Sequence, residues 1–328
     1  MLIIIGKSKK DCYFIKNEKG EIAVKKYELV KENSIEFNGK TLYRIRALKD
    51  FQTVNGLTVK AGDLGGYIQS EENLSQDGKS WVVGNAKVFH SACVSDNACV
   101  YDNAKVVDDA CVSDNACVFD DAYVLGNAKV YGNAKVYGDA KVYGDAKVYD
   151  NTCVFGDTCV SDKAYVYGNA KVFNKAYVFD NAKVYDNACV YGDAKVYGDA
   201  CVYGNARVCD NAWVFENAYV YGYSKVFNNA YVCGYAKVYD NAQVYGNARV
   251  FNDACVCGNA RIFNDARVCG NARVFNDACV YGHARVFGKA CVYDNARVCE
   301  NAQVFGNAVV CDNTEVSGNT LVQKRLGV

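Results

Sequence analysis

Thiols stand out among the groups able to do chemistry in this chain, with 18 cysteines against two histidines and one methionine. In a small secreted chain that count would read as a disulfide framework. Here the cysteines recur at positions otherwise held by Tyr, Phe, Lys or Arg, no CxxC pair occurs, and the closest spacing is Cys255 to Cys257. The pattern predicts structural or neutral thiols left by drift in a duplicated array, with metal or redox use as the alternative. Cys93 would stack on Cys111 and Cys99 on Cys117, but stacked thiols alone do not make a tetrahedral metal site. The only imidazoles, His90 and His283, stand where Gly, Asp or Asn otherwise recur. Tyr131, Tyr149, Tyr167, Tyr185, Tyr203, Tyr221 and Tyr239 are each 18 residues from the next. They predict a stacked ladder and a flat surface for self-association or a partner. Arg249, Arg267 and Arg285 recur at the same interval beside aromatic rows, an interleaving that suits single-stranded nucleic acid. Acidic residues flanking those rows and a formal net charge of zero, from 37 basic and 37 acidic side chains, argue against that use.

These residues are positioned by a six-residue repeat that runs from Val82 to Val322 without a slip. In Val130-Tyr131-Gly132-Asn133-Ala134-Lys135 the first position is Val, as it is throughout except at Ile262. The fifth is small everywhere: Ala, or else Thr152, Thr158, Ser224, Thr314 and Thr320. Alternation through Ala-Lys-Val-Tyr has period two and predicts a strand with Ala and Val inward, so Val136, Val202, Ile262 and Ala134 are core residues. A helix is excluded, because a six-residue period would spiral the apolar stripe around a 3.6-residue helix. The third and fourth positions are Gly, Asp or Asn almost everywhere, residues that tolerate left-handed backbone and make corners. Three hexads closing an 18-residue triangular coil give an all-β parallel β-helix of about 13 coils, roughly 60–65 Å long at ~4.8 Å per coil.

Residues 1–80 do not follow the repeat. Asn38-Gly39 and Asn55-Gly56 are hairpin signals between apolar runs, and Tyr13 to Val30 reads as a third strand pair around Glu18-Lys19-Gly20. The division expected is a β-rich head at 1–80, a solenoid at 81–322 and a tail at 323–328, with the head capping the first coil. The tail is too short to cover a triangular end, which suggests end-to-end or tail-to-tail association into a homo-oligomer or polymer. Met1-Leu2-Ile3-Ile4-Ile5 is too short for a signal-peptide core and no stretch approaches a membrane span, so a soluble, cytoplasmic protein is expected. No P-loop or dinucleotide fingerprint occurs, and no cofactor or metal is expected.

The hexads resemble those of the hexapeptide-repeat superfamily of left-handed β-helices, which includes acyltransferases and gamma-class carbonic anhydrases. With Gly62-Asp63-Leu64-Gly65-Gly66-Tyr67-Ile68 and Asn73-Leu74-Ser75, roughly residues 40–322 look like a bacterial and prophage group. Its members are described as acetyltransferases of the YdcK type or as polymer-forming cytoskeletal-like proteins, without an established activity. The resemblance implies a left-handed coil. The superfamily often has Gly, Ala, Asp or Glu at the second position, where this chain has Tyr, Phe or Cys. An acyltransferase of this kind implies a His general base, an extruded loop and a groove between subunits for the acyl carrier. His283 and His90 are the candidates, yet both lie in corners with no inserted loop nearby. Gamma-class carbonic anhydrases hold their metal with three His, and this chain has two. The expected role is therefore a non-enzymatic structural or interaction scaffold. The alternative is an acetyl-CoA-dependent acyltransferase with a site between subunits.

Overall fold

Inward Val and Ala, outward sixth and second residues, and one corner per hexad fold the repeat into a coil three strands to the turn. The computed structural model describes residues 14–16 and 22–326, and divides into two units, residues 1–151 and 152–328. Residues 1–13, 17–21, 327 and 328 lie outside the described residues. Both units are parallel β-solenoid, with short strands paired 18 residues apart. The regular strand spans only the sixth and first positions in most hexads, but backbone bonding reaches further. Lys129 N donates to Ala146 O at 2.9 Å and Tyr131 N to Val148 O at 3.0 Å. Val136, Val202, Ile262 and Ala134 are fully buried, and Val184, Val202 and Val220 stack in register. Where hydroxyls replace the inward Ala they stay paired: Thr158 Oγ1 donates to Phe155 O at 2.6 Å and Ser224 Oγ to Tyr221 O at 2.8 Å.

The corners correct one expectation. Only the third residue takes left-handed backbone, with φ of 69° at Gly132, 56° at Asp114 and 59° even at Glu216; the fourth does not. One left-handed residue suffices to turn the chain, so the fourth position is free of that constraint and accommodates His283, Tyr223 and Tyr235. The acidic third residues also bond the corner one coil on. Asp120 Oδ2 accepts from Gly138 N at 3.0 Å and Asp240 Oδ2 from Gly258 N at 3.1 Å. At the fourth position Asn97, Asn115 and Asn133 pass amide hydrogen bonds up the first unit, and Asn211, Asn229, Asn247 and Asp265 up the second.

In the first unit the head builds directly onto the solenoid. Strand β1 (Phe14–Lys16) pairs antiparallel with β2 (Ile22–Val24), as the sequence predicts. Strands β3 (Tyr27–Phe37) and β4 (Lys40–Ala47) join through Asn38-Gly39, whose φ values of 50° and 70° suit a two-residue hairpin turn. Strands β5 (Phe51–Gln52) and β6 (Thr58–Val59) pair around a longer loop that contains Asn55-Gly56. Strand β7 (Leu64–Ile68) pairs with β4 on one side and with the Lys87–Val88 strand of the first coil on the other. Its glycines are needed for that approach: a Cβ on Gly65 would lie 2.6 Å from Val82 O, and one on Gly66 2.6 Å from Val82 Cγ1. Leu74 bridges to Val94, covering a second face. The fully buried Lys26 donates to Asp77 O, Ser80 O and Ser80 Oγ at 2.9–3.1 Å, and burial lowers its pKa to about 8.

At the C-terminal end of the second unit the tail does more than expected. Leu326 N donates to Val309 O at 2.6 Å and Cys311 N donates to Leu326 O at 3.1 Å, so the tail covers the Val309–Val310 edge. The Glu315–Val316 and Leu321–Val322 strands end their sheets with no further strand among the described residues, and Leu321 is 64% exposed.

Candidate interaction surface and thiol groove

The second position places an aromatic side chain outward on each face, and the coil spacing sets how the rings meet. Tyr131 and Tyr149 stack in the first unit with centroids 4.8 Å apart and planes within 2°. In the second unit Tyr167, Tyr185, Tyr203, Tyr221 and Tyr239 stack at 4.8–4.9 Å and 2–3°. Further ladders run through Tyr101, Phe119 and Tyr137, and through Phe227, Tyr245, Phe263 and Tyr281. The ladder predicted from spacing is therefore present, but its surface differs from a flat aromatic plate. Ring faces inside a ladder are covered by neighbouring rings, so what points outward is a row of half-buried edges and hydroxyls. Arg249, Arg267 and Arg285 stack in register and are exposed.

His90 occupies a left-handed corner with φ of 58°, and its Nδ1 lies 2.9 Å from Asp108 Oδ1. Asp108 is the third-position residue one coil on, and its other oxygen accepts from Gly126 N at 3.3 Å. His90 thus continues the corner network that acids form elsewhere. His283 is exposed, with Nδ1 3.7 Å from Asp265 Oδ2. Cys93 stacks on Cys111 and Cys99 on Cys117 as spacing implies. Among the described residues no group of three His, Cys, Asp or Glu is placed to hold a metal ion.

One feature of the second unit escapes the repeat pattern. The five-tyrosine ladder stops at Tyr239, because Cys257 stands where the next ring would be. Beside the ladder lies an open groove of about 730 Å³, lined by Tyr203, Tyr221, Tyr239, Lys237, Cys255 and Arg273. Its rim includes Asp253 and the corner residue Tyr235, which is 60% exposed. Strand register puts Cys255 directly between Lys237 and Arg273. Cys255 Sγ is 3.5 Å from the Tyr239 hydroxyl. Hydrogen bonding from Cys257, aided by Tyr239 and the two cations, holds the Cys255 thiol below the ordinary range despite burial. Sharing that hydrogen bond with Cys255 pushes Cys257 up, as it does Tyr239. The signal available in the sequence was the Cys255–Cys257 spacing; the cations come from neighbouring coils and show only once the register is known.

The fold and its outward ladders define the class: a β-solenoid repeat protein. The family described as the YdcK β-solenoid repeat matches residues 242–258 and 266–282, so the second unit is similar to that repeat over these segments. No curated protein matches the chain.

Proposed function

We propose that the protein is a non-enzymatic structural scaffold that associates with itself through the C-terminal end of its solenoid. The observation that carries this reading is the partial cover of that end among the described residues: the tail pairs with the Val309–Val310 edge, while no described strand pairs with the outer edge of Glu315–Val316 or of Leu321–Val322. Open strand edges are templates for pairing with another chain, and Leu321 and Leu326 add exposed apolar surface beside them. Within the first unit the head pairs with the first coil through β7 and Leu74, which favours contact through the tail. Left-handed winding and kinship to hexapeptide-repeat β-helices belong to this reading, as does a cytoplasmic, bacterial or prophage setting. In support of a structural role, the corners bearing His90 and His283 carry no inserted loop.

Sedimentation velocity over a wide concentration range tests the proposal. Mass that rises with concentration, and falls back to monomer in Leu321→Lys, is the expected result. A discrete trimer that binds a coenzyme A thioester and loses turnover in His90→Ala or His283→Ala would establish the acyltransferase alternative instead. A monomer at all concentrations would remove self-association from the proposal.

A further inference from the structure

We propose that Cys255 is a nucleophilic thiol that is covalently modified by hydroperoxides, forming a sulfenic acid in the groove below Tyr239. The inference is independent of the scaffold reading and rests on what the coil brings together around one sulfur. Lys237 precedes Cys255 and Arg273 follows it in the same outward column, at the ~4.8 Å interval of stacked strands. A sulfur between two cations is favoured as the thiolate, the form that attacks. The Tyr239 hydroxyl, 3.5 Å from Sγ, supplies a hydrogen-bond donor to that anion. Cys257, two residues on along the same face, is pushed up by hydrogen bonding with Cys255 and by burial, with Asp240 adding to the rise. Cys255 is therefore the thiol of the pair that gives up its proton first. Asp253 on the rim is the acidic group lining the groove itself.

Access comes from the open groove that Cys255 lines. Cys279 also stands between two cations, Arg261 and Arg297, but has Phe263 where Cys255 has Tyr239. Burial pushes its thiol up as it does that of Cys201. Cys255 adds the Tyr239 hydroxyl and its place in the groove. Lys237 and Arg273 also argue for an anionic or neutral reactant over a metal ion, since a cation entering between them would be repelled. In the reaction the thiolate sulfur attacks one oxygen of the hydroperoxide. The S–O bond forms as the O–O bond breaks, and the departing alkoxide or hydroxide takes a proton from solvent. Sulfur is oxidised to Cys–SOH while the peroxide is reduced to an alcohol or water.

Competitive labelling of the full chain with isotope-coded iodoacetamide, read cysteine by cysteine by peptide mass spectrometry across pH 6–9, provides the test. At neutral pH Cys255 is expected to label about tenfold faster than Cys201 and Cys279. Substoichiometric hydrogen peroxide followed by dimedone is expected to tag Cys255 before the others. A Cys255 that labels no faster than Cys279, or dimedone adducts spread evenly over the cysteines, overturns the proposal. Lys237→Met combined with Arg273→Met is expected to move the Cys255 labelling midpoint to higher pH while leaving the circular dichroism unchanged. An unmoved midpoint in a folded variant refutes the role given to the two cations, and the wild-type labelling stands as a test whether or not that variant folds.

Discussion

A single inward position carries much of the local stability, because each first-position Val is sealed above and below by its own kind. Val202 lies between Val184 and Val220 and is fully buried. Val202→Asp places an unpaired charge there and is expected to cost about 3–5 kcal/mol or to melt the neighbouring coils outright. Thermal denaturation followed by circular dichroism checks it, and an unchanged melting temperature would sink the inward assignment. The corners offer a subtler case. Asp120→Ala leaves an alanine at φ of 57° and removes the acceptor for Gly138 N, a combined loss of about 1–3 kcal/mol. Asp120→Gly removes the backbone strain but not the lost acceptor, so its melting temperature should fall between those of Asp120→Ala and the unmodified chain. The inward and outward assignments were legible because the repeat leaves no freedom of register. Which corner residue turns left-handed was not, since Gly, Asp and Asn occupy both corner positions.

At the scale of the element, the aromatic ladder supplements a narrow core of Val and Ala. Tyr203 stacks on Tyr185 and Tyr221, so Tyr203→Ala opens a gap in the second unit and is expected to cost about 1–2 kcal/mol. Tyr203→Phe keeps both ring contacts and should melt within a degree or two of the unmodified chain, on the order of 0.5 kcal/mol or less. A large loss in Tyr203→Phe would show that the outward hydroxyls, not the stacked faces, hold the ladder. The head shows a different balance. Its hairpins follow from Asn-Gly signals, but the join to the solenoid depends on residues with no such signature. Lys26 reads as an ordinary surface lysine until the fold places Asp77 and Ser80 around its ammonium group. Gly65 and Gly66 stand out in the sequence, and the reason is the close passage of β7 over Val82.

For the whole molecule, the outward thiols and phenols make stability depend on alkaline pH. Burial pushes Cys233 up to about 11 and Tyr221 up to about 12, and raises Cys201, Cys269 and Cys279 as well. Groups whose folded pKa exceeds the unfolded value keep protons in the native state that the unfolded chain has lost. Their stabilisation is complete below about pH 8.5 for thiols and about pH 10 for phenols, and is lost as pH rises through the folded values. The melting temperature should therefore fall steadily between about pH 8.5 and 12, and a flat profile there would contradict the burial of these groups. Cys255 and Cys117, both held low, run the other way, as two thiols against many. A strict six-residue period sets which face every side chain occupies, so the coil, its inward residues, the 18-residue stacking and the aromatic rows were legible from the residues alone. Which ring faces are already covered, which end edges lack a partner strand among the described residues, and that the Tyr239 hydroxyl lies 3.5 Å from Cys255 emerge from the packed fold. Each of these depends on neighbours a full coil away, which a linear repeat places in register but does not by itself pack.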